Sequence, residues 1–399
     1  MTRQLPLNAI ELLAPARDAD VGIAAIDHGA DAVYIGGPGF GARAAAGNSL
    51  DDIARLADYA HRYNAKVFAA LNTLMTNEEL PQARRLAFGL ADAGADVLIV
   101  QDMGLLMGEL PNIELHASTQ CDIRTPEKAA FLEAAGFSQI VLARELSLEE
   151  IAAVRARLKH ARIEFFVHGA LCVSYSGRCY MSEATVHRSA NRGACSQLCR
   201  LPYDVETLSG EVLARRHVLS LKDNDQRANI EALITAGVSS FKIEGRLKDS
   251  AYVKNVTAAY RRIIDEVLTR RKDLVRASDG VSTFSFEPSP EKVFNRGGTD
   301  YFIHGKHFER DYDLAALESP KHMGAPVARV VRSGPEGLTV ELFPGVALAN
   351  GDGLAYLGRD DEIHGLALNK TVLLGRKTKK GRALARLTPA EPVARLRMG

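Results

Sequence analysis

The sequence predicts an α/β fold, a (β/α)₈ TIM-like barrel followed by a small antiparallel β domain, and three observations carry that expectation. Up to about Arg271, short apolar runs rich in β-branched residues alternate with longer amphipathic stretches, the pattern of βα units around a parallel sheet. Beyond Asp279-Gly280 the period changes to two, with Gly and Pro as punctuation. The 399 residues leave room for a barrel of about 250 residues and a further domain.

In chain order, nine segments read as strands: Ile10–Leu13, Ala32–Gly36, Lys66–Leu71, Asp96–Gln101, Ile113–His116, Gln139–Ala143, Ile163–Val167, His217–Leu221 and Ser240–Glu244. Eight close a barrel, so one is accessory, and His217–Leu221 is the expected extra. Helices are expected over Ser49–Asn64, Asn77–Ala93, Thr125–Ala135 and Ser147–Leu158, several opening on a Ser, Thr or Asn cap with a carboxylate two or three residues later. The barrel is assigned to residues 1–275, with a Cys-rich insertion after strand seven, and an aromatic-rich connecting segment to residues 276–322. Residues 323–399 form the small β-barrel-like domain, with strands at Pro326–Arg332, Gly337–Leu342, Gly353–Leu357, Thr371–Leu374 and Arg382–Leu387.

Hydrophobic residues at 46%, charged residues at 25% and a mean hydropathy of -0.09 suit a globular protein and exclude disorder and fibres. No run approaches eighteen apolar residues without a charge, which excludes a membrane-spanning helix. The first residues carry no apolar targeting segment, so a cytoplasmic location is expected. A net charge of +1 means that any nucleic-acid contact must come from a local patch. One such patch is Arg376, Lys377, Lys379, Lys380 and Arg382; a run of this kind is ordinarily a solvated hairpin, with RNA phosphates as the alternative partner.

Four of the five Cys fall in one stretch after the seventh strand, at Cys172, Cys179, Cys195 and Cys199. Small buried thiols are common, but they rarely crowd a loop rich in Gly, Ser and Arg. In a reducing compartment such clustering points to a metal centre rather than disulfides. The three-residue gap of the second pair suits zinc, the six-residue gap of the first is loose for it, and thiolate-only ligation suits iron–sulfur clusters, so spacing alone leaves both open. Arg178, Arg188, Arg192 and Arg200 would offset the thiolate charge and hold a phosphate or carboxylate.

The C-terminal ends of barrel strands are where such enzymes place their chemistry. Residues at or just past those ends include Asn72, Gln101, Asp102, His116, Ser118, Gln120, Arg144, Glu145, His168, Lys242, Glu244 and Arg246. By alternation Lys242 and Glu244 share one side of the last strand and are expected to pair, as catalysts or as a structural ion pair. His168, Arg144, Lys242, Glu244 and Arg246 are the candidate catalytic residues, and His116, Gln120, Arg178 and Arg192 the candidate substrate-binding ones. Cys121 reads as a packed thiol more readily than a nucleophile. Gly36-Gly-Pro-Gly-Phe-Gly41 reads as a tight βα loop, and no HExxH, P-loop or GxSxG pattern occurs.

Longer strings carry a family resemblance. Glu11-Leu-Leu-Ala-Pro-Ala-Arg17, Glu114-Leu-His-Ala-Ser-Thr-Gln120, His168-Gly-Ala-Leu-Cys172, Ser176-Gly-Arg-Cys179 and Phe241-Lys-Ile-Glu-Gly-Arg246 resemble the peptidase U32 family. Gly36 through Arg43, Val100-Gln-Asp-Met-Gly104, Arg192-Gly-Ala-Cys195-Ser-Gln-Leu-Cys199-Arg-Leu-Pro-Tyr203 and Asn295 through Tyr301 are most similar to its bacterial branch that forms 5-hydroxycytidine in 23S rRNA. The resemblance implies an RNA-modifying hydroxylase acting on rRNA cytidine or tRNA uridine. It implies an iron–sulfur cluster, 4Fe–4S, on Cys172, Cys179, Cys195 and Cys199, with prephenate or another small anionic metabolite as co-substrate. Members of that branch continue past the β domain into a region that this sequence lacks. A peptidase, from the family's older label, and a non-catalytic iron–sulfur partner of a hydroxylase complex are the alternatives.

Overall fold

The computed structural model describes residues 5–42, 47–306, 313–322, 324–334, 337–360, 363–378, 381–393 and 396. It opens with β1 (Ala9–Ala16), α1 (Ala19–Asp27), β2 (Ala32–Gly36), α2 (Leu50–His61), β3 (Lys66–Leu71) and α3 (Leu80–Asp92). There follow β4 (Val97–Val100), β5 (Glu114–Ala117), α4 (Pro126–Ala134), β6 (Gln139–Val141), α5 (Leu148–Arg157) and β7 (Arg162–Ala170). The Cys-bearing segment then contains only a short α6 (Met181–Val186) and single turns of 3₁₀ helix. After a hairpin of β8 (Tyr203–Glu206) and β9 (Val212–Arg216) come β10 (Asp223–Asp225), α7 (Ile230–Thr235), β11 (Val238–Ile243) and α8 (Ser250–Arg270). β12 (Val275–Arg276) and β13 (Gly298–Thr299) are two-residue additions.

β1 to β7 pair in parallel, each with the next, and β11 pairs in parallel with both β7 and β1, so eight strands close the barrel. The parallel eightfold barrel expected from the alternating pattern is therefore observed. Its interior packs Leu13, Ala32, Tyr34, Phe68, Val97 and Ile99 together, all nearly inaccessible to solvent. Local capping fixes several helix starts: Ser49 with Asp52 and Ser147 with Glu150 form capping boxes, and Thr125 caps α4. The expected start at Asn77 is displaced to Leu80, because Pro81 suits a first turn and the Glu79 carboxylate accepts from the Thr76 N–H just before it.

Two expectations need correction. His217–Leu221 is not a strand; His217–Ser220 is a turn, and Leu221 makes a single bridge to Ala315. The accessory strand is instead β10, antiparallel to the last residues of β7, with β13 on its other edge. Between β4 and β5 there is no α-helix, only a 3₁₀ turn over Met103–Met107 that Asp102 caps.

The C-terminal sheet consists of β14 (Ala328–Gly334), β15 (Gly337–Leu342), β16 (Gly353–Leu357), β17 (Ile363–Lys377) and β18 (Ala383–Pro389), in the order β14-β15-β18-β17-β16, antiparallel throughout. Thr371–Leu374 is only the middle of β17, a strand of 15 residues. A register shift between Leu368 and Lys370 interrupts the period-two pattern there. Leu338, Val340, Leu342, Leu368, Ala385 and Leu387 form this sheet's own core. By contacts the chain divides into two units, the second comprising 202–220, 291–297 and 316–399, so the β8–β9 hairpin belongs with the C-terminal sheet.

Candidate active site

A cavity of about 300 Å³ opens at the C-terminal ends of the barrel strands. Its walls come from the barrel, through Tyr34, Asn72, Ser118, Arg144, Phe166 and Lys242, and from the loop after β7, which contributes Cys172, Cys179, Cys195 and Cys199. The four clustered thiols are thus brought to one place, as the chain's spacing suggested. None is in a disulfide; Cys172 and Cys195 are exposed, Cys179 and Cys199 half-buried. Burial pushes the Cys199 thiol up, the neighbouring Cys172, Cys195 and Cys179 add to that, and Arg200 opposes it. The quartet is close enough for each sulfur's charge to act on Cys199. Even so, among the described residues no three His, Cys, Asp or Glu side chains converge as ligands of a single metal ion.

Backbone geometry pins this loop. Gly177 has φ +74°, and a Cβ there would lie 2.0 Å from the Gln120 carbonyl oxygen, so only Gly permits so close an approach to the loop after β5. Arg200 donates to the carbonyls of Leu171 and Leu221, both at 2.7 Å, which joins the two ends of the Cys-bearing segment. Arg178 lines the cavity, and its Nε lies 2.5 Å from Asp122, a residue in the left-handed region at φ 54°.

The cavity floor is charged. Lys242 does not pair with Glu244 as alternation suggested: its Nζ donates to Glu164 Oε1 at 2.5 Å, with both side chains buried, and sits 4.5 Å from the Tyr34 ring centroid. Glu164 also accepts from Gln139 Nε2 at 2.7 Å. Glu244 instead faces Arg144, at 3.7 Å, while the Arg144 guanidinium lies 4.4 Å over the Phe166 ring. Arg246, buried, lines the same cavity and lies 5.7 Å from the Tyr34 ring. Two cationic rims therefore flank an aromatic wall, an arrangement suited to a small planar or anionic molecule.

Other candidates lie elsewhere. His168 is turned away from the cavity: its Nδ1 is 3.3 Å from the Tyr260 hydroxyl on α8. The cause is a bulge, since Lys242 pairs with Phe166 but Ile243 pairs with His168, leaving Val167 as an extra residue that reverses the side-chain alternation. His116 is enclosed in the barrel interior, its ring edge-on to Phe68 at 4.8 Å and its Nε2 3.7 Å from Glu114. Arg192 makes a bidentate pair with Glu79, at 2.6 and 3.0 Å, and lines a separate Gly-rich cavity rather than this one. Arg188 is exposed and not among the residues lining the thiol cavity. Gln120 does line it. Asn72 accepts from the Ala42 N–H and donates to Ser118, Gln101 donates to the Gln120 carbonyl, and Asp102 accepts from Gly104 and Met75 N–H groups, all positioning contacts. Cys121 is a packed thiol raised to about 12 by burial.

Sequence reading missed Tyr34, Phe166 and Glu164. Phe166 and Glu164 lie two and four residues before His168 on β7, so alternation counted back from that candidate would have found them.

The matched family model is Peptidase family U32, over residues 17–313. The chain belongs to that family. It is 57% identical to the 23S rRNA 5-hydroxycytidine C2501 synthase of Escherichia coli, over 87% of this chain and 52% of that protein. It is 36% identical to tRNA hydroxylation protein P1 of Bacillus subtilis, over 64% of this chain and 63% of that one. A third relative, an uncharacterized protease of Methanocaldococcus jannaschii, is 33% identical over 88% of this chain and 87% of that one. The chain spans about half the length of the Escherichia coli protein it matches.

Proposed function

We propose that this U32 chain forms the catalytic part of an RNA hydroxylase that places a hydroxyl on C5 of a pyrimidine, with cytidine of 23S rRNA as its substrate. The observation that carries this reading is the convergence of four unpaired thiols with an aromatic, cationic barrel mouth in a chain 57% identical to a 5-hydroxycytidine synthase.

Cys172, Cys179, Cys195 and Cys199 would hold an iron–sulfur cluster. The four thiols share one cavity, and thiolate-only ligation suits an iron–sulfur cluster. Bound there through all four thiolates, the cluster would supply electron transfer. The chain's own side chains do the rest. Arg144 and Arg246 bind the carboxylates of a small anionic metabolite, prephenate by family resemblance, and Glu244 fixes the direction of Arg144. Phe166 and Tyr34 give the pyrimidine a face to lie on, and Glu164 holds Lys242 against Tyr34 at the floor. A base paired or stacked in folded RNA must first be turned out, at a cost of a few kcal/mol that contacts to its neighbours offset. A cytoplasmic location, with reduced thiols and RNA at hand, belongs to the same reading; no described helix is long and apolar enough to cross a membrane.

The peptidase reading lacks support of this kind: Ser and Cys line the cavity, but no His does among the described residues, so no Ser–His or Cys–His pair is formed there. The test is mass spectrometry of rRNA and tRNA nucleosides from a deletion strain, together with iron and sulfide analysis of anaerobically purified protein. Loss of 5-hydroxycytidine and a brown, air-sensitive protein are expected. Unchanged hydroxylated nucleosides, or a colourless protein with one zinc, would overturn the proposal.

A further inference from the structure

A second cavity, of about 620 Å³, lies on the far side of the loop that carries Cys172. Val173, Ser174 and Tyr175 line both cavities, so this short stretch of chain is the wall between them. The other lining includes Arg124, Glu145, Tyr301 and Phe302, and the volume falls within the range of about 300–1,000 Å³ typical of small-molecule sites.

Its chemistry differs from that of the barrel mouth. The cations are already matched: Arg124 Nε is 2.7 Å from Asp122, and Lys306 Nζ is 2.9 Å from both carboxylate oxygens of Glu150. No net positive charge is left over to select an anion. What the cavity offers is ring surface and one acceptor. Arg124 covers one face of Tyr175 at 4.0 Å from the ring centroid, yet Tyr175 remains 53% exposed, and Tyr301 rests on Phe302 at 4.1 Å. Glu145 is 8% exposed, and its Oε1 has no hydrogen-bond partner; Arg124 Nε stands off at 3.9 Å, and the Arg144 guanidinium acts on the carboxyl through charge alone. A buried, unsatisfied oxygen beside exposed ring faces asks for a flat heteroaromatic group with an N–H donor.

We propose that this second cavity is a flanking-nucleotide subsite: the base next to the one presented at the thiol cavity stacks on Tyr175 and donates its exocyclic amino group to Glu145. The inference rests on the RNA reading above and adds to it a means of choosing sequence context. The three-residue wall gives the geometry, because a dinucleotide straddling Val173–Tyr175 would place one base in each cavity.

The test uses the full chain, purified anaerobically, with short single-stranded RNAs carrying the modified pyrimidine and either an amino-bearing base or uracil beside it. Binding is followed by fluorescence anisotropy for the wild type, Tyr175→Ala, Tyr175→Phe and Glu145→Gln, with iron content measured on each. Tyr175→Ala is expected to raise Kd about tenfold at unchanged iron, Tyr175→Phe to restore it, and Glu145→Gln to erase an approximately tenfold preference for the amino-bearing neighbour. Kd values within twofold of wild type for both Tyr175→Ala and Glu145→Gln, in a protein that hydroxylates RNA, overturn the subsite alone. Intact Tyr175- and Glu145-dependent binding without hydroxylation overturns the activity and leaves the subsite standing. Wild type that binds none of these RNAs, or a Tyr175-dependent competition by prephenate that displaces them, overturns the subsite.

Discussion

At the scale of single residues, the interior of this barrel is unusual for the charge it encloses. Lys242 and Glu164 are 5% and 0% exposed, so removing one partner strands the other in a low-dielectric core. Glu164→Gln is expected to cost about 3–5 kcal/mol in urea unfolding, and Glu164→Gln with Lys242→Met to recover most of it. Equal losses for the single and double variants would show that the pair contributes nothing as a pair. Glu114 on β5 titrates in a similar setting: burial works to raise its carboxyl, but His116 and Lys66, at 3.7 and 3.0 Å, override burial and hold it at about 2. A carboxyl depressed in the folded state stabilises above its unfolded value of about 4.3 and loses that contribution as pH falls toward about 2. Thermal melts between pH 5 and 2 should therefore decline less steeply for Glu114→Gln than for wild type, and parallel curves would remove this role.

At the scale of elements, the loop from Cys172 to Cys199 has almost no regular structure of its own and depends on contacts with the barrel. Gly177→Ala pushes a methyl into the Gln120 carbonyl and strains a left-handed φ as well. We expect it to lower iron per chain severalfold while changing the melting temperature of the barrel by only a few degrees; full iron loading would sink that expectation. The sequence revealed the seven first strands, the last strand and the gathering of thiols because each rests on local pattern. It concealed whatever depends on register. One extra residue at Val167 sent His168 toward Tyr260, the Lys242–Glu164 pair displaced the Lys242–Glu244 one, and β17 hid behind a bulge. Chain position put Arg178 at the mouth correctly and Arg192 there wrongly, and their carboxylate partners, Asp122 and Glu79, are remote in sequence and could not be inferred from it.

At the scale of the whole molecule, a net charge of +1 limits how far electrostatics can carry the proposed RNA binding. Many rim and loop cations already face carboxylates, and within the basic run from Arg376 to Arg382 the last lies 3.9 Å from Glu341; Lys379 and Lys380 lie outside the described residues. Five phosphate contacts on single-stranded RNA would give a slope of log affinity against log salt of about -3.5, and Lys379→Glu with Lys380→Glu should flatten it by about 1.4. A much steeper slope, unaffected by those changes, would mean that the run is a solvated hairpin after all. The division of the chain has a consequence for inheritance. Since the backbone passes from one unit to the other at 201/202, 220/221, 290/291, 297/298 and 315/316, neither unit is a contiguous cassette. A single crossover cannot exchange the C-terminal sheet for another without splitting the unit to which the β8–β9 hairpin belongs, so the two units are expected to be inherited together.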